Sequence, residues 1–379
     1  MKVLVAGDFA PRARLAKQIE EKRYSDVFPE NLREVIKSVD FSFVNFESPI
    51  VEDTYKPIPK CGPNLHCTPE AAEAIKFAGF TGVTMANNHI LDFGSEGLHK
   101  SVACCKKQGL DVVGVGNCLK DAEEILYGRF YSYIKKSGKT LAVINCCEHE
   151  FSIATETSAG ANPLNPVRQY YAIRKAKDKA DYVLVIVHGG HEMFQLPSPR
   201  MVETYRFFID AGADAVVNHH QHCYSGYEVY NEKPIFYGLG NFGFDLEKTV
   251  SKRPWNYGYM VEIDFSQSVH SRIIPYYQYA EEPQIKLLEE TAFNDEIKKI
   301  NEVISSKEKL QEEVNAYYKK VASYELSLLE PYRGRLFGKL YDMGVLPQII
   351  KGGKKYSILN HIMCESHHDK LLFAMAHSN

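Results

Sequence analysis

TGVTMANNHILDFG, residues 81–94, runs from an apolar stretch straight into two amides, an imidazole and a carboxylate at Asn87, Asn88, His89 and Asp92. The apolar part, TGVTM, reads as a strand. The segment that follows, SEGLHKSVACCKKQG (95–109), has helical periodicity closing on Gly. Strand, polar loop, helix is the repeating unit of an α/β protein, and in open α/β sheets the loops at the carboxyl ends of the strands line the binding crevice. The stretch therefore predicts an architecture and the place in it where chemistry collects.

The unit recurs along the chain. KVLVA (2–6), FSFVNF (41–46), DVVGV (111–115), TLAVIN (140–145), YVLVIV (182–187) and DAVVN (214–218) read as further strands, and PEAAEAIKFAG (69–79) as a helix. Several of these strands are apolar without interruption, which predicts cover on both faces. YEVYNEKPIFYGLGNF (227–242) and YMVEIDF (259–265) alternate more, and the turn residues Asn231 and Glu232 predict hairpins. From about residue 281 the sequence becomes charge-rich, with apolar positions at three- and four-residue spacing. The division expected is an α/β domain over 1–280 and an amphipathic helical extension over 281–379, packed on the body or on a partner chain.

Composition narrows the functions. At 379 residues with 45% hydrophobic and 25% charged residues, the chain is an ordinary globular protein able to bury a large core. Its 45 basic and 48 acidic residues leave a net charge of −3, which gives no footprint for nucleic acid or an anionic membrane. The initial apolar run stops at Gly7-Asp8, too short for a signal peptide, and no run is long enough to span a bilayer. The 9 cysteines are an odd number without CxxC spacing and read as reduced, mostly buried residues, so a cytoplasmic location is expected.

Polar, metal-competent residues recur where the strands end. Asp8 follows KVLVAG, Asn45 and Glu47 follow FSFV, Asn88 and His89 follow TGVTMA, His188 follows YVLVIV, and His219, His220 and His222 follow DAVVN. Carboxylates, an amide oxygen and neutral imidazoles are ligands for borderline divalent ions such as Mn, Fe, Zn or Co. In NHHQH an extended chain would put His220 and His222 on one side and His219 on the other. In HGGHE the glycines leave His188 uncrowded, and His191 and Glu192 are candidate substrate groups or groups supporting the ligands. Asp92, three residues after His89, can orient that imidazole across a helical turn. Asn241 of YGLGNF reads as an amide facing the site, since the segment lacks the ending of a phosphate loop. CGPNLHC (61–67) has no second Cys or His pair to complete a tetrahedral site around Cys61, His66 and Cys67, and CESHHD (364–369) reads as a polar helix face.

Taken in order, GD (7–8), NFE (45–47), ANNHxxDxG (86–94), HGGHE (188–192), HHQH (219–222) and GLGNF (238–242) resemble the CapA family of bacterial capsule and poly-γ-glutamate synthesis proteins, relatives of calcineurin-like metallophosphoesterases. The resemblance covers about residues 1 to 265. It implies a four-layered α/β/β/α sandwich with two divalent ions on loops at the sheet edges. Asp8 and His222 would serve one ion, Glu47 would bridge, and Asn88, His188 and His220 would serve the second. His89 would be the catalytic acid, and Asn45 a group supporting the ligands or the substrate. Two departures from the phosphoesterase pattern follow the CapA-like subfamily. Asp8-Phe9-Ala10 replaces Asp-x-His, removing an imidazole from the first ion, and Asn45-Phe46-Glu47 replaces GDxxD.

The implied activity is hydrolysis, in which divalent ions activate water against a phosphoester or against an amide of an anionic polymer such as poly-γ-glutamate. The rival expectation is a non-catalytic, metal-binding accessory role in capsule polymer synthesis, with the helical extension docking a protein partner.

Overall fold

The computed structural model describes residues 1–124, 139–246, 254–265, 269–279, 282–327, 336, 340, 343–345 and 351–377. Its strands are β1 (Lys2–Phe9), β2 (Phe41–Phe46), β3 (Gly82–Thr84), β4 (Asp111–Val113), β5 (Val115–Gly116), β6 (Leu141–Cys147), β7 (Gly160–Ala161) and β8 (Tyr182–His188). They continue with β9 (Ala215–His219), β10 (Tyr227–Tyr230), β11 (Lys233–Phe236), β12 (Asn241–Gly243), β13 (Tyr257–Phe265), β14 (Val269–Gln278) and β15 (Ile285–Leu287). One sheet has the order β15-β14-β13-β1-β2-β3-β4, with β12 pairing the end of β1; the other has the order β10-β11-β9-β8-β6. β1 to β4 are mutually parallel, as are β6, β8, β9 and β11, so each sheet sends several carboxyl ends to one edge.

The uninterrupted apolarity of the strands has a direct cause. Successive side chains point to opposite faces. In β1, Val3 and Val5 face the second sheet, where they meet Leu184, Ile186, Ala215 and Val217, while Leu4 and Ala6 face helices outside the first sheet. In β8, Val183, Val185 and Val187 likewise turn outward, onto helices Pro166–Lys177 and Pro199–Ala211. Helices Ala13–Glu20, Glu30–Lys37, Glu70–Ala78 and Gly94–Lys107 cover the first sheet's outer face through Leu15, Leu32, Ile75 and Leu98. The result is the expected α/β/β/α layering. Each fully buried Val or Leu contributes about 1.5–3 kcal/mol, and a one-residue slip would exchange the two faces of a strand.

Local signals fix several boundaries. Gly79 ends helix Glu70–Ala78 with φ +104°, and Asn165 caps helix Pro166–Lys177 by accepting from the amides of Val167 and Arg168. Asn231 and Glu232, at φ +47° and +62°, make the expected β10–β11 hairpin turn.

Two expectations change. DVVGV is not one strand: Gly114, at φ +97°, turns the chain out of the first sheet, and Val115 pairs with Ala161 in a separate ribbon. A Cβ on Gly114 would lie 2.1 Å from the Asn145 side-chain oxygen, so the position accepts only glycine. The stretch read as helical from residue 281 begins with a strand. Ile285–Leu287 pairs antiparallel with β14, and the helices start at Asn294. The expected boundary at 280 and 281 falls outside the described residues.

The helices Asn294–Ile304, Lys307–Ser327, Gly353–Met363 and Glu365–Ala376 follow. Phe293 and Ile297 enter the core between the sheets, while Ile304, Leu310, Val314 and Tyr318 join the core outside the second sheet. Among the described residues no helix is long and apolar enough to cross a membrane.

Candidate metal centre

The carboxyl ends of both sheets meet at one buried cluster. Asn45 bridges them: its amide donates to Asp8 Oδ1 at 2.8 Å and lies 3.2 Å from His188 Nδ1. His188 Nε2 lies 3.0 Å from Asn88 Oδ1, 3.0 Å from His220 Nδ1 and 3.7 Å from Glu47 Oε1. His222 Nε2 is 3.8 Å from the same Glu47 oxygen, and His222 Nδ1 is 2.9 Å from Asn241 Oδ1. Ligand-type atoms converge in three sets: Asp8, Glu47 and His222; Glu47, His188 and His220; and Glu192, His220 and His222. The six residues read as ligands from the sequence, Asp8, Glu47, Asn88, His188, His220 and His222, thus stand around one space.

The backbone is forced into place there. His220 and His222 have φ of +88° and +53°, a region that non-glycine residues occupy at a cost of order 1–3 kcal/mol and that clusters at functional sites. The extended chain expected for NHHQH is therefore replaced by left-handed turns past the end of β9. His219 still points away and binds the Ala6 carbonyl at 2.9 Å. Gly7 lets β1 touch the loop before Asn241, since a Cβ there would meet the Gly240 carbonyl oxygen at 1.8 Å.

The cluster sets two fully buried carboxylates among buried imidazoles. Both Glu47 oxygens are fully buried and lack a hydrogen-bond partner. Burial, and then the Asp8 charge, push the Glu47 carboxyl well above its usual range. Burial also opposes ionisation of Asp8, yet His222, His219 and His188 hold its carboxyl well below that range. His188 is driven well down by burial and then by His220, leaving a neutral imidazole as a metal requires. His222 is pushed up to about 10: desolvation works against its charge, but Glu47 and Asp8 outweigh it.

A proton on His222 thus offsets part of the charge of the two carboxylates, and a cation bound there would displace it. Divalent-metal affinity is expected to tighten between about pH 6 and about pH 9 with release of a proton, a trend that isothermal titration in buffers of different ionisation enthalpy would read. An affinity independent of pH would contradict this assignment. In the metal-free chain the His222 contribution to stability is fully present below the imidazole's ordinary pKa and is lost as pH rises through about 10.

The 86–94 loop forms the flank of the centre. Asn87 accepts from the His89 amide at 3.1 Å and donates to Asn45 Oδ1 and the Phe46 carbonyl, so it fixes the loop and ties it to β2. His89 Nδ1 lies 2.6 Å from Asp92 Oδ2, the orienting contact expected from their spacing. Lys60 was not legible in the sequence: its Nζ lies 2.7 Å from Asp92 Oδ1 and 3.2 Å from His89 Nδ1, with its side chain 3% exposed. Burial, opposed by Asp92 and assisted by Lys60, lowers the His89 pKa. Breaking a buried pair leaves an uncompensated charge, so Lys60→Met is expected to cost about 3–5 kcal/mol in denaturant unfolding. A change below ~1 kcal/mol would show that Asp92 is satisfied without it. Asn145 was missed as well. Its side-chain oxygen accepts from the Ala86 amide at 2.8 Å, tying the second sheet to the start of this loop.

Other readings resolve differently. Glu192 stands exposed at the mouth, with His222 and His220 holding its carboxyl low against the cost of desolvation. His191 turns from the centre and meets the Tyr318 hydroxyl at 2.8 Å, packed among Phe194, Tyr317 and Tyr318. Cys67 donates to the Ser48 carbonyl and His66 rests edge-on against Phe93, so the 61–67 loop gathers no ligand set. CESHHD is more than a polar helix face, because Cys364 and Ser366 are buried against Glu148.

Comparison with known proteins agrees with this geometry. The chain is 34% identical over 247 residues to the capsule biosynthesis protein CapA of Bacillus anthracis, covering 63% of this chain and 59% of that protein. It is 33% identical over 235 residues to the PGA biosynthesis protein CapA of Bacillus subtilis, covering 61% and 60%. A probable polyglutamine synthesis accessory protein of Mycobacterium tuberculosis is 28% identical over 176 residues, covering 43% and 45%. The chain thus spans about three fifths of the length of the two Bacillus relatives. The family of the bacterial capsule synthesis protein PGA_cap is matched across residues 2–246, both sheets' site-bearing ends included, and the chain belongs to that family.

Proposed function

We propose that this chain is a metal-dependent hydrolase acting in capsule polymer synthesis, cleaving a phosphoester or an amide of an anionic polymer such as poly-γ-glutamate. The observation that carries the reading is Glu47, a fully buried carboxylate without hydrogen-bond partners, ringed by His188, His222 and Asp8. A buried charge of this kind costs several kcal/mol unless it is paired or bound to a metal, and the donor set suits a borderline divalent ion.

Asp8 and His222 would hold one ion, and Asn88, His188 and His220 a second, with Glu47 shared. When bound, the ions supply Lewis acidity and an activated water. The chain's own part is to position and to move a proton. Asn241 accepts from His222 Nδ1 and so turns Nε2 of that ring toward Glu47, while Asn45 supports Asp8 by donating to its Oδ1. Asp92 holds the Nδ1 proton of His89, leaving Nε2 to take a proton and pass it to the departing oxygen or nitrogen. The test supplies the full chain with Mn²⁺ and measures hydrolysis of a generic phosphodiester and of poly-γ-glutamate. Metal-dependent turnover on either supports the hydrolase, whereas tight metal binding without turnover on both transfers the site to an accessory, polymer-binding role.

A further inference from the structure

Glu148 and His149, just past β6, are gripped by helix Glu365–Ala376. Glu148 accepts from Ser366 Oγ at 2.8 Å and from Arg200 at 2.9 Å, and Arg200 also binds Asp369 at 2.9 Å. His149 gives its backbone amide to Glu365 at 3.0 Å and places its ring nitrogen 2.6 Å from the same carboxylate. Helix Glu365–Ala376 thus clamps the two residues that precede Glu150, from a part of the chain outside the matched family region.

The clamp aims Glu150 at His220. The His220 ring turns Nδ1 toward His188 and the other ligand atoms, while its Nε2 is buried, without a hydrogen-bond partner, and 3.8 Å from Glu150 Oε1. A metal-ligating histidine generally gives its second ring N–H to a carboxylate or carbonyl, which fixes the tautomer and strengthens the ligand. Asn241 serves His222 in this way through its amide oxygen. The carboxylate that stands at His220 Nε2 is Glu150, at 3.8 Å.

We infer that Glu150 is the positioning residue of His220, accepting a hydrogen bond from Nε2–H so that Nδ1 faces the cation, and that helix Glu365–Ala376 holds the segment carrying Glu150 there through Glu365 and Ser366. The extension then sets the strength of the metal centre from outside the layered body. The inference rests on the metal-site reading above.

The test titrates the metal-free full chain with Co²⁺ alone, following the visible absorption of the bound ion, in the native protein and in Glu150→Gln and Glu365→Ala. Glu150→Gln keeps the shape of the side chain and removes the charged acceptor. It is expected to weaken Co²⁺ binding about 10- to 100-fold and to alter the spectrum, with the metal-free melting temperature preserved. Glu150→Asp is expected to recover part of the affinity. Glu365→Ala, which loosens the anchor at His149 only, is expected to weaken binding by less and keeps the test in force should Glu150→Gln fail to fold. If the native chain binds Co²⁺ and both variants match it in affinity and spectrum, the role of Glu150 is overturned. If the native chain itself binds no Co²⁺, it is the metal-site reading that fails.

Discussion

Exchanging Glu47 for Gln is expected to abolish tight divalent-metal binding and to lower metal-dependent turnover by about 10³-fold or more, while leaving the metal-free protein no less stable than the parent. The two halves follow from one observation. Both Glu47 oxygens lack hydrogen-bond partners in a fully buried position between His188 and His222, so in the metal-free chain the charge is offset by the His222 imidazolium without repaying its burial, and in the loaded chain it would face the ions directly. Removing a ligand shared by both proposed ions forfeits several kcal/mol of charge stabilisation, and each 1.36 kcal/mol is tenfold in rate. The stability half has the opposite sign. The folded-state pKa of Glu47 is raised, so in the metal-free chain the carboxyl costs stability once pH exceeds its unfolded value, and the cost grows until the raised pKa is passed. Gln carries no such cost. Chemical denaturation of metal-free parent and variant at neutral pH reads this directly. A variant that is several kcal/mol less stable without metal would mean that Glu47 is held by the protein rather than waiting for a cation.

His89→Asn is expected to separate chemistry from metal binding: turnover falls about 10²- to 10⁴-fold, and metal content and affinity stay at parental levels. His89 belongs to none of the three converging ligand sets, although it follows Asn88 directly. Its Nδ1 is committed to Asp92 at 2.6 Å, and Lys60 beside both groups disfavours a second positive charge on the ring. The ring is therefore a neutral imidazole whose Nε2 is available to relay a proton. Single-turnover kinetics combined with metal analysis distinguishes this role from ligation. Loss of metal from His89→Asn would make His89 a ligand and reassign the proton relay.

Much of this was legible before any coordinates. Strand after strand ended in a carboxylate, amide or imidazole, and parallel strands deliver such residues to one edge whatever their separation in sequence; Asp8, Glu47, Asn88, His188 and His222 meet for that reason. The uninterrupted apolarity of β1, β6, β8 and β9 correctly required cover on both faces, and the outer helices and the facing sheet supply it. What stayed hidden depends on contacts that no local pattern encodes. Lys60 sits in an irregular Pro-rich loop, where a lysine reads as solvent-exposed, and only the fold of that loop over Asp92 buries it. Gly114 broke a pattern that looked like a single strand, because a positive φ cannot be read from apolar periodicity. The left-handed backbone at His220 and His222 is likewise invisible in NHHQH, although the outcome, both rings inward and His219 outward, matched the alternation of an extended chain for a different geometric reason. In the sequence the C-terminal helices read as a surface packed on the body or docking a partner. Their contacts with Glu148, His149 and Arg200 bind segments from distant parts of the chain, which periodicity cannot foresee.

The most direct test of the metal centre is the metal content of the full chain after equilibration with Mn²⁺ and removal of free ion, measured by mass spectrometry beside Glu47→Gln prepared identically. The expected result is about two ions per parent chain and well under one per variant chain. Equal content in the two proteins, or none in the parent, would contradict the assignment of this cluster as a metal centre.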